Sequence, residues 1–567
     1  MNINHELLNY FIYKKLVSRK EKDAILAECE KLNVSVRDYL IAKEYITETT
    51  ELPALADYYA MPYVEIDMLD IDRSLFDLFT FGFMKKHKII PVCFDRNGVL
   101  LVATGKPLNA HTISALASQF ACKYDYVLVP PVQIDRYVDS VSAVISTSLA
   151  LNDLNSDKLG QKLSDDSKDG DESNTVSKED DVINNPAVRL VDSIIKEAIP
   201  YRASDIHIEP FEKNVKVRYR IDGDLQNRAE FPIEAYSAIC ARLKIISGLN
   251  IAERRIPQDG RINLVIGGRE YDFRVSTLPT VFGEKFVIRI LDKTTFSFTR
   301  RDLGFSEEEN VVVDKMLKRP HGIILLTGPT GCGKSTTLYS FLKEVNNPLV
   351  NIVTVEDPVE YTMLGVNQTQ VNAKANMTFA VALRSILRQD PDIIMIGEIR
   401  DEETAEIAVR SAITGHIVFS TLHTNDAPGA ILRLEDMGVE DYLVADALVG
   451  VIAQRLVKKL CPACKKKGRT NKREMEILGI DQPVTISRPN EQGCQFCNHT
   501  GYKGRTAIHE VMYINEAMRN SILTEKNLEI LRNLAVENGM TPLFESCKKL
   551  VLNGTTSIQE LMTLNIE

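Results

Sequence analysis

The feature that most constrains this chain is the run Gly328-Pro329-Thr330-Gly331-Cys332-Gly333-Lys334-Ser335-Thr336. It satisfies G-x-x-x-x-G-K-[ST] in full and stands between an apolar strand-like stretch, Ile323–Leu326, and a helical one, Ser335–Val345. Glycines let such a loop curl into a nest of N–H groups aimed at phosphate oxygens. The helix start adds partial positive charge at the same place. In that arrangement Lys334 reaches the β- and γ-phosphates of a nucleoside triphosphate, and the Ser335 hydroxyl ligates Mg²⁺. A chance glycine-rich turn would lack the strand before and the helix after. The surrounding chain must therefore be α/β, and from Gly304 onward helices do alternate with short apolar strands, the pattern of a parallel sheet covered on both faces.

Hydrolysis needs more than a phosphate loop: a magnesium-side carboxylate and a group to activate water. The expected strand Asn351–Val355 ends in Glu356-Asp357-Pro358-Val359-Glu360, and Asp392–Ile396 ends in Gly397-Glu398. Carboxyl ends of parallel strands are where open α/β sheets bind ligands. Glu398 follows Ile393-Ile394-Met395-Ile396 and so sits where a Walker B acid sits; its bland alternative is a helix N-cap, and that of Glu356 and Glu360 a solvated turn. A third strand, Ile417–Thr421, is flanked by His416 and His423, which either sense the γ-phosphate or hold the strand ends.

At 567 residues, 44% hydrophobic and 26% charged, the chain is long enough for about three to five domains. Its net charge of −10 argues against a coat for nucleic acid, and no nucleic-acid partner is expected. No apolar stretch approaches membrane-spanning length and the start, MNINHELLNYFIYKK, lacks the order of a signal peptide, so a cytoplasmic location is expected. Leu151–Asp181 carries ten acidic and four basic residues and reads as a flexible acidic linker (151–182) that divides the chain. Before it, residues 1–150 read as an α+β module, with helices at Lys20–Leu32, Val36–Lys43 and Glu51–Tyr59 and strands at Lys88–Phe94, Val99–Ala103 and Lys123–Val129. After it come an amphipathic helix, Pro186–Pro200, and strands at Asp205–Glu209, Val215–Arg220, Arg261–Ile266, Tyr271–Ser276 and Lys285–Leu291.

Cys461-Pro-Ala-Cys464 and Cys494-Gln-Phe-Cys497 are two C-x-x-C pairs separated by 29 residues. Four thiolates so arranged suit structural tetrahedral Zn²⁺, with a redox pair or an empty reduced cluster as alternatives. The spacer is long enough for a small subdomain, about 458–500, with a helix at Lys472–Leu478. Cys332 inside the phosphate loop reads as a small neutral filler or a redox liability.

The strings SDIHIEP (Ser204–Pro210), VRYRIDG (Val217–Gly223), AERRIPQDGRI (Ala252–Ile262), GPTGCGKST, TVEDPVEY (Thr354–Tyr361), LRQDPDIIMIGEIRD (Leu387–Asp401) and GHIVFSTLHTNDAP (Gly415–Pro428) occur in one order. Together they resemble the type II/type IV secretion ATPase superfamily, the GspE/PilB family, and most of all a type IV pilus assembly ATPase. The resemblance implies a PAS-like α+β second N-terminal domain at 183–297 and a RecA-like P-loop ATPase domain at 298–567, assembled as a homohexamer. It implies ATP, Mg²⁺ and structural Zn²⁺ as cofactors. It casts Glu360 as the water-activating glutamate, Glu398 as the magnesium-side acid, and His416 and His423 as a His box. Arg218, Arg384, Arg388, Arg400 and Arg505 match arginines of the nucleotide region and subunit interface. The tetracysteine site fits an assembly ATPase better than a retraction or DNA-uptake motor.

The implied activity is a motor at the cytoplasmic face of the inner membrane, working on a platform protein to extrude pilin. A type II secretion ATPase and an ATP-binding scaffold with little turnover are the alternatives. Residues 1–150 are weakly similar to the MshE type of N-terminal domain, which binds cyclic-di-GMP through an R-L-G-x-x-L pattern. The stretch compared here, Lys31-Leu32-Asn33 to Glu44-Tyr45-Ile46, lacks the arginine and both glycines, which favours docking over cyclic-di-GMP binding.

Overall fold

The structure is a computed structural model. It describes residues 186–564 apart from 267–268, 293–297 and 525–526, and parts of 3–141. The expected acidic linker, 151–182, lies outside the described residues, as does part of the expected helix Val36–Lys43. Two compact units, Met1–Ile290 and Leu291–Glu567, make up the chain.

The first unit opens with helices α1 (Ile3–Tyr13), α2 (Lys22–Leu32), α3 (Glu48–Tyr58) and α4 (Phe81–His87), followed by strands β1 (Ile89–Phe94), β2 (Leu100–Thr104) and β3 (Tyr124–Leu128) in one sheet. Phe76 and Met84 belong to the core beside that sheet. Next come α5 (Pro186–Ala198), β4 (Asp205–Pro210), β5 (Asn214–Ile221), β6 (Asp224–Pro232), α6 (Tyr236–Ser247), β7 (Gln258–Ile266), β8 (Arg269–Thr280) and β9 (Gly283–Asp292). Their six strands form a sheet in the order β6-β5-β4-β9-β8-β7. Strict alternation builds it. On β5, Val215, Val217, Tyr219 and Ile221 point into the core while Lys216, Arg218 and Arg220 point away. Strand β6 and helix α6 were not expected; β6 reads DLQNRAEFP, too polar for a periodicity argument, and is held by pairing with β5.

The second unit contains α7 (Glu307–Leu317), β10 (Gly322–Thr327), α8 (Lys334–Val345), β11 (Ile352–Glu356), β12 (Val366–Gln370), α9 (Phe379–Ile386), β13 (Ile393–Ile396), α10 (Glu402–Ile413), β14 (Ile417–Leu422), α11 (Gly429–Asp436), α12 (Asp441–Ala447) and β15 (Leu448–Leu460). It continues with β16 (Lys466–Arg469), α13 (Lys472–Leu478), β17 (Thr485–Arg488), β18 (Tyr502–Tyr513), α14 (Glu516–Thr524), α15 (Leu528–Glu537), α16 (Leu543–Leu552) and α17 (Ile558–Thr563). The seven-stranded sheet runs β12-β11-β13-β14-β10-β15-β18. Strand β10 is central and buried on both faces: Ile323 and Leu325 join the core under α9–α12, and Ile324 and Leu326 the core under α7 and α8. Every pairing in this sheet is parallel except the last, since β18 returns antiparallel along β15. The expected parallel sheet is thus present, with one antiparallel strand added at this edge, where the chain leaves as β15, forms the cysteine-bearing arm and comes back as β18.

Local signals fix the helix starts. Ser306 and Glu309 form a capping box on α7, and Asn471 and Glu474 form another on α13. Asp401 caps α10 through the Thr404 N–H. Among the described residues, no helix is long and apolar enough to cross a membrane.

Candidate functional site

The phosphate-type loop springs from the buried end of β10 and feeds α8. Gly328 has φ 141°, and a Cβ there would lie 2.4 Å from the Gln454 carbonyl oxygen and 2.8 Å from Cys332 Sγ. Gly333 has φ 92° and caps α8; its Cβ would lie 2.9 Å from Gln454 Nε2. Both positions thus require glycine on conformational and steric grounds. Lys334 is 8% exposed and its Nζ donates to the carbonyls of Gly328 (2.6 Å) and Pro329 (3.0 Å). Burial lowers its pKa below the ordinary lysine value, while the charge of Glu398 opposes that shift. Thr330 and Ser335 are exposed on the loop and the first turn of α8; Thr336 is half-buried and Cys332 buried. Burial pushes the Cys332 thiol up, which makes it a poor nucleophile and supports the filler reading.

The carboxylates gather at the same edge. β10 and β14 run in register from Gly322↔Ile417 to Thr327↔Leu422, and β13 pairs with β14, so the loop, His423 and Glu398 all follow strand carboxyl ends. Glu398 contacts Arg400 (2.5 Å) and His423 Nε2 (3.6 Å), with its side chain 15% exposed. Burial and then the charge of Lys334 lower the His423 pKa, so this imidazole is neutral near pH 7.

Glu356 is no solvated turn. It is 3% exposed and accepts from the Tyr339 hydroxyl, from Thr354 Oγ1 (2.6 Å) and from Gln368 Nε2 (3.0 Å). Glu360 is half-buried, and its N–H donates to the same Tyr339 hydroxyl (3.3 Å).

Other sequence-selected residues make contacts of their own. His416 precedes the amino end of β14, where its Nδ1 meets the Ser411 carbonyl at 2.9 Å. The six residues of β14 separate it from His423, about 23 Å along an extended strand, so the two histidines occupy opposite edges of the sheet. Within one chain, then, His423 stands at the loop edge and His416 at the other. Arg384 pairs with Glu403, Arg388 donates to Ser385 Oγ (3.4 Å), and Arg505 lies on β18 opposite Lys458. Arg218, on β5 of the first unit, pairs with Glu209 at 2.6 Å. Of these arginines only Arg400 touches a carboxylate of the loop edge among the described contacts.

Sequence reasoning passed over Tyr339, Gln454, Arg455 and Asn425. Gln454 Nε2 donates to the Cys332 carbonyl (2.7 Å), and its Oε1 accepts from Thr337 Oγ1 (2.8 Å). Arg455, 8% exposed, donates to Asn425 Oδ1 (3.2 Å). The available signal was a polar Gln-Arg pair in the middle of the apolar run LVGVIAQRLVKKL.

In the arm, the four cysteine Sγ atoms lie within 4.8 Å of one another. Cys461–Cys494 and Cys464–Cys497 are each 3.8 Å apart, and Cys494–Cys497 is 3.7 Å. A tetrahedral ZnS₄ centre with Zn–S of about 2.3 Å has edges of about 3.8 Å, so the donor set fits Zn²⁺. Burial would raise the Cys497 thiol, but the N–H groups of Cys494 and Gly501, each 3.2 Å from Sγ, bring it down to about 7. That favours thiolate at Cys497, whereas burial raises Cys461 and Cys464, which a bound metal would have to deprotonate.

The Type II/IV secretion system protein family matches residues 180–563, and the MshEN domain family matches residues 59–144. The stretch from Lys31 to Ile46 therefore lies before the MshEN match. The chain is 48% identical over 392 residues, 69% of this chain and 77% of the relative, to Type II secretion system protein E of Pseudomonas aeruginosa. It is 39% identical over 557 residues, 97% of each chain, to the Type IV pilus assembly ATPase PilB of Myxococcus xanthus. The crystal structure of the Legionella pneumophila ATPase DotB is similar in fold, with a TM-score of 0.50 and 20% identity over 66% of this chain and 95% of DotB. With this loop, sheet and cysteine arm, the chain belongs to the Type II/IV secretion system protein family, that of the secretion and pilus ATPases.

Proposed function

We propose that this chain is a Mg²⁺-dependent ATP hydrolase, working as a homohexameric motor that drives type IV pilus assembly through an inner-membrane platform protein. The observation that carries the ATPase reading is the convergence of Lys334, Glu398 and His423 at one edge of the sheet. Lys334 exchanges its loop carbonyls for the β- and γ-phosphates, and the nest N–H groups hold the phosphate chain. Ser335 and Glu398 would hold Mg²⁺, which when bound neutralises charge between the phosphates. Glu360 orients the attacking water. Arg400 trades its contact with Glu398 for phosphate, and Arg218, Arg384, Arg388 and Arg505 complete sites across subunit boundaries. The four cysteines hold Zn²⁺ as a structural ion, since no ligand position is left open.

The pilus assignment rests on the likeness to PilB, which runs through 97% of both chains. The greater identity to the Pseudomonas type II secretion protein over a shorter span favours the second reading, a pseudopilus motor at the same membrane face. Phosphate release by the purified full-length chain tests the ATPase reading: Lys334→Ala and Glu398→Ala should each lower turnover about 100-fold or more. Equal rates in all three proteins would overturn it in favour of an ATP-binding scaffold. Deleting the gene should abolish surface pili and leave exoprotein secretion intact; the opposite pattern selects the secretion reading.

A further inference from the structure

Resting on the nucleotide reading above, we infer that Gln454 is a positioning residue which sets nucleotide affinity from outside the phosphate-loop motif. It sits on β15, which pairs in parallel with β10 as far as Thr327↔Ala453, so the next residue stands beside the point where the loop departs. The side chain is 2% exposed and bridges two elements, the Cys332 carbonyl of the loop and the Thr337 hydroxyl in the first turns of α8.

The physical argument concerns one peptide unit. The Cys332 carbonyl and the Gly333 N–H belong to the same planar trans group and point in opposite directions. A phosphate nest requires its N–H groups to face inward, so its carbonyls must face outward into the protein. Around Gly328, Gly331 and Gly333 the backbone is unusually free to rotate, since all three have positive φ. A donor that captures the Cys332 carbonyl from outside therefore holds the Gly333 N–H in the phosphate-facing sense. A neutral side-chain amide can donate to that carbonyl and also accept from Thr337, which a carboxylate or an aliphatic chain cannot do. Gln454 thus prepays loop ordering that phosphate would otherwise impose on binding. It touches neither water nor leaving group, so its effect falls on binding rather than on the chemical step.

The test uses the full-length chain, with equilibrium binding of a fluorescent ADP analogue and steady-state ATPase kinetics. Gln454→Met, close in size and unable to make either bond, should weaken ADP binding about tenfold and raise KM for ATP by a similar factor, with kcat kept within about twofold. Gln454→Glu keeps the acceptor for Thr337 but loses the donor, and should resemble Gln454→Met. Thr337→Val should weaken binding about threefold, add little to Gln454→Met because both act through one bond, and be rescued by Thr337→Ser. Unchanged ADP affinity in a cooperatively melting Gln454→Met protein would overturn the inference, as would a loss confined to kcat. Should Gln454→Met not fold, wild-type affinity in Thr337→Val would overturn it equally. A wild-type protein that binds ADP without hydrolysing ATP would defeat the motor reading alone, because the binding measurement still reports on Gln454.

Discussion

Tyr339→Phe removes a single oxygen from a buried junction. The ring is 1% exposed and meets Tyr361 edge-on at 5.9 Å, contacts that phenylalanine preserves. The lost hydroxyl is one of three donors to Glu356, alongside Thr354 and Gln368, and is also the acceptor for the Glu360 N–H. A buried hydrogen bond to a charged group contributes about 1.5–3 kcal/mol. At about 2–4 °C per kcal/mol for a unit of this size, the melting temperature of the second unit should fall by about 3–12 °C. The same junction ties the end of β11 to the segment bearing Glu360, so kcat should fall while ADP affinity stays. Calorimetry on the full-length chain, with Glu356→Gln in both backgrounds, checks the cause. Once the carboxylate is neutral, losing the phenol should cost less, giving a coupling of about 1 kcal/mol or more. A Tyr339→Phe protein melting within about 1 °C of wild type, with no such coupling, would refute the reasoning.

Cys461→Ser or exhaustive chelation should release one zinc per chain, measured by elemental analysis, and make the arm the first region to exchange its amide hydrogens; a wild-type preparation that never contains metal opposes this. His509 is 1% exposed, stacked 3.8 Å from Phe305, with no hydrogen-bond partner on either ring nitrogen among the described residues, and burial lowers its pKa to about 3. Its unfolded form takes up a proton first, so stability should fall as pH drops from about 6.5 toward 3. His509→Phe should flatten that dependence, which a pH series of denaturant titrations would detect. In the first unit, Lys244→Ala strands the buried carboxylate of Glu284, 2.6 Å from the ammonium, and should destabilise by about 3–5 kcal/mol; Lys244→Met with Glu284→Gln should cost much less.

The phosphate loop was legible because three constraints coincide there: a buried strand, glycines at fixed spacing and a helix start. Glu398 was legible for a related reason, since four apolar residues announce β13 and the acid marks its end. The tetracysteine cluster needed only spacing. What escaped was whatever depends on long-range pairing. Polar β12, VNQTQ, exists because β11 offers it a ladder. Gln454 lies 122 residues from the carbonyl it holds, and no local pattern reports such a contact. His416 and His423 looked equivalent as neighbours in sequence, and only the direction of the strand between them separates the edge that bears the glycine-rich loop from the one that does not.

Strand β15 is a single thirteen-residue element whose midpoint braces the phosphate loop and whose last residue precedes Cys461. From Gln454 to Cys461 is about 23 Å at about 3.3 Å per residue, and the ladder with β18 stiffens most of that length. The cysteine lobe is therefore the far end of a beam clamped at the Gly328–Lys334 loop. Force applied to the lobe would reach the Gly328–Lys334 loop through the backbone of one strand, whose ladder with β18 is interrupted only by the register shift between Lys458 and Leu460. A metal held by the four cysteines at the tip would then do more than fold a small lobe: it would set how faithfully the beam conducts load.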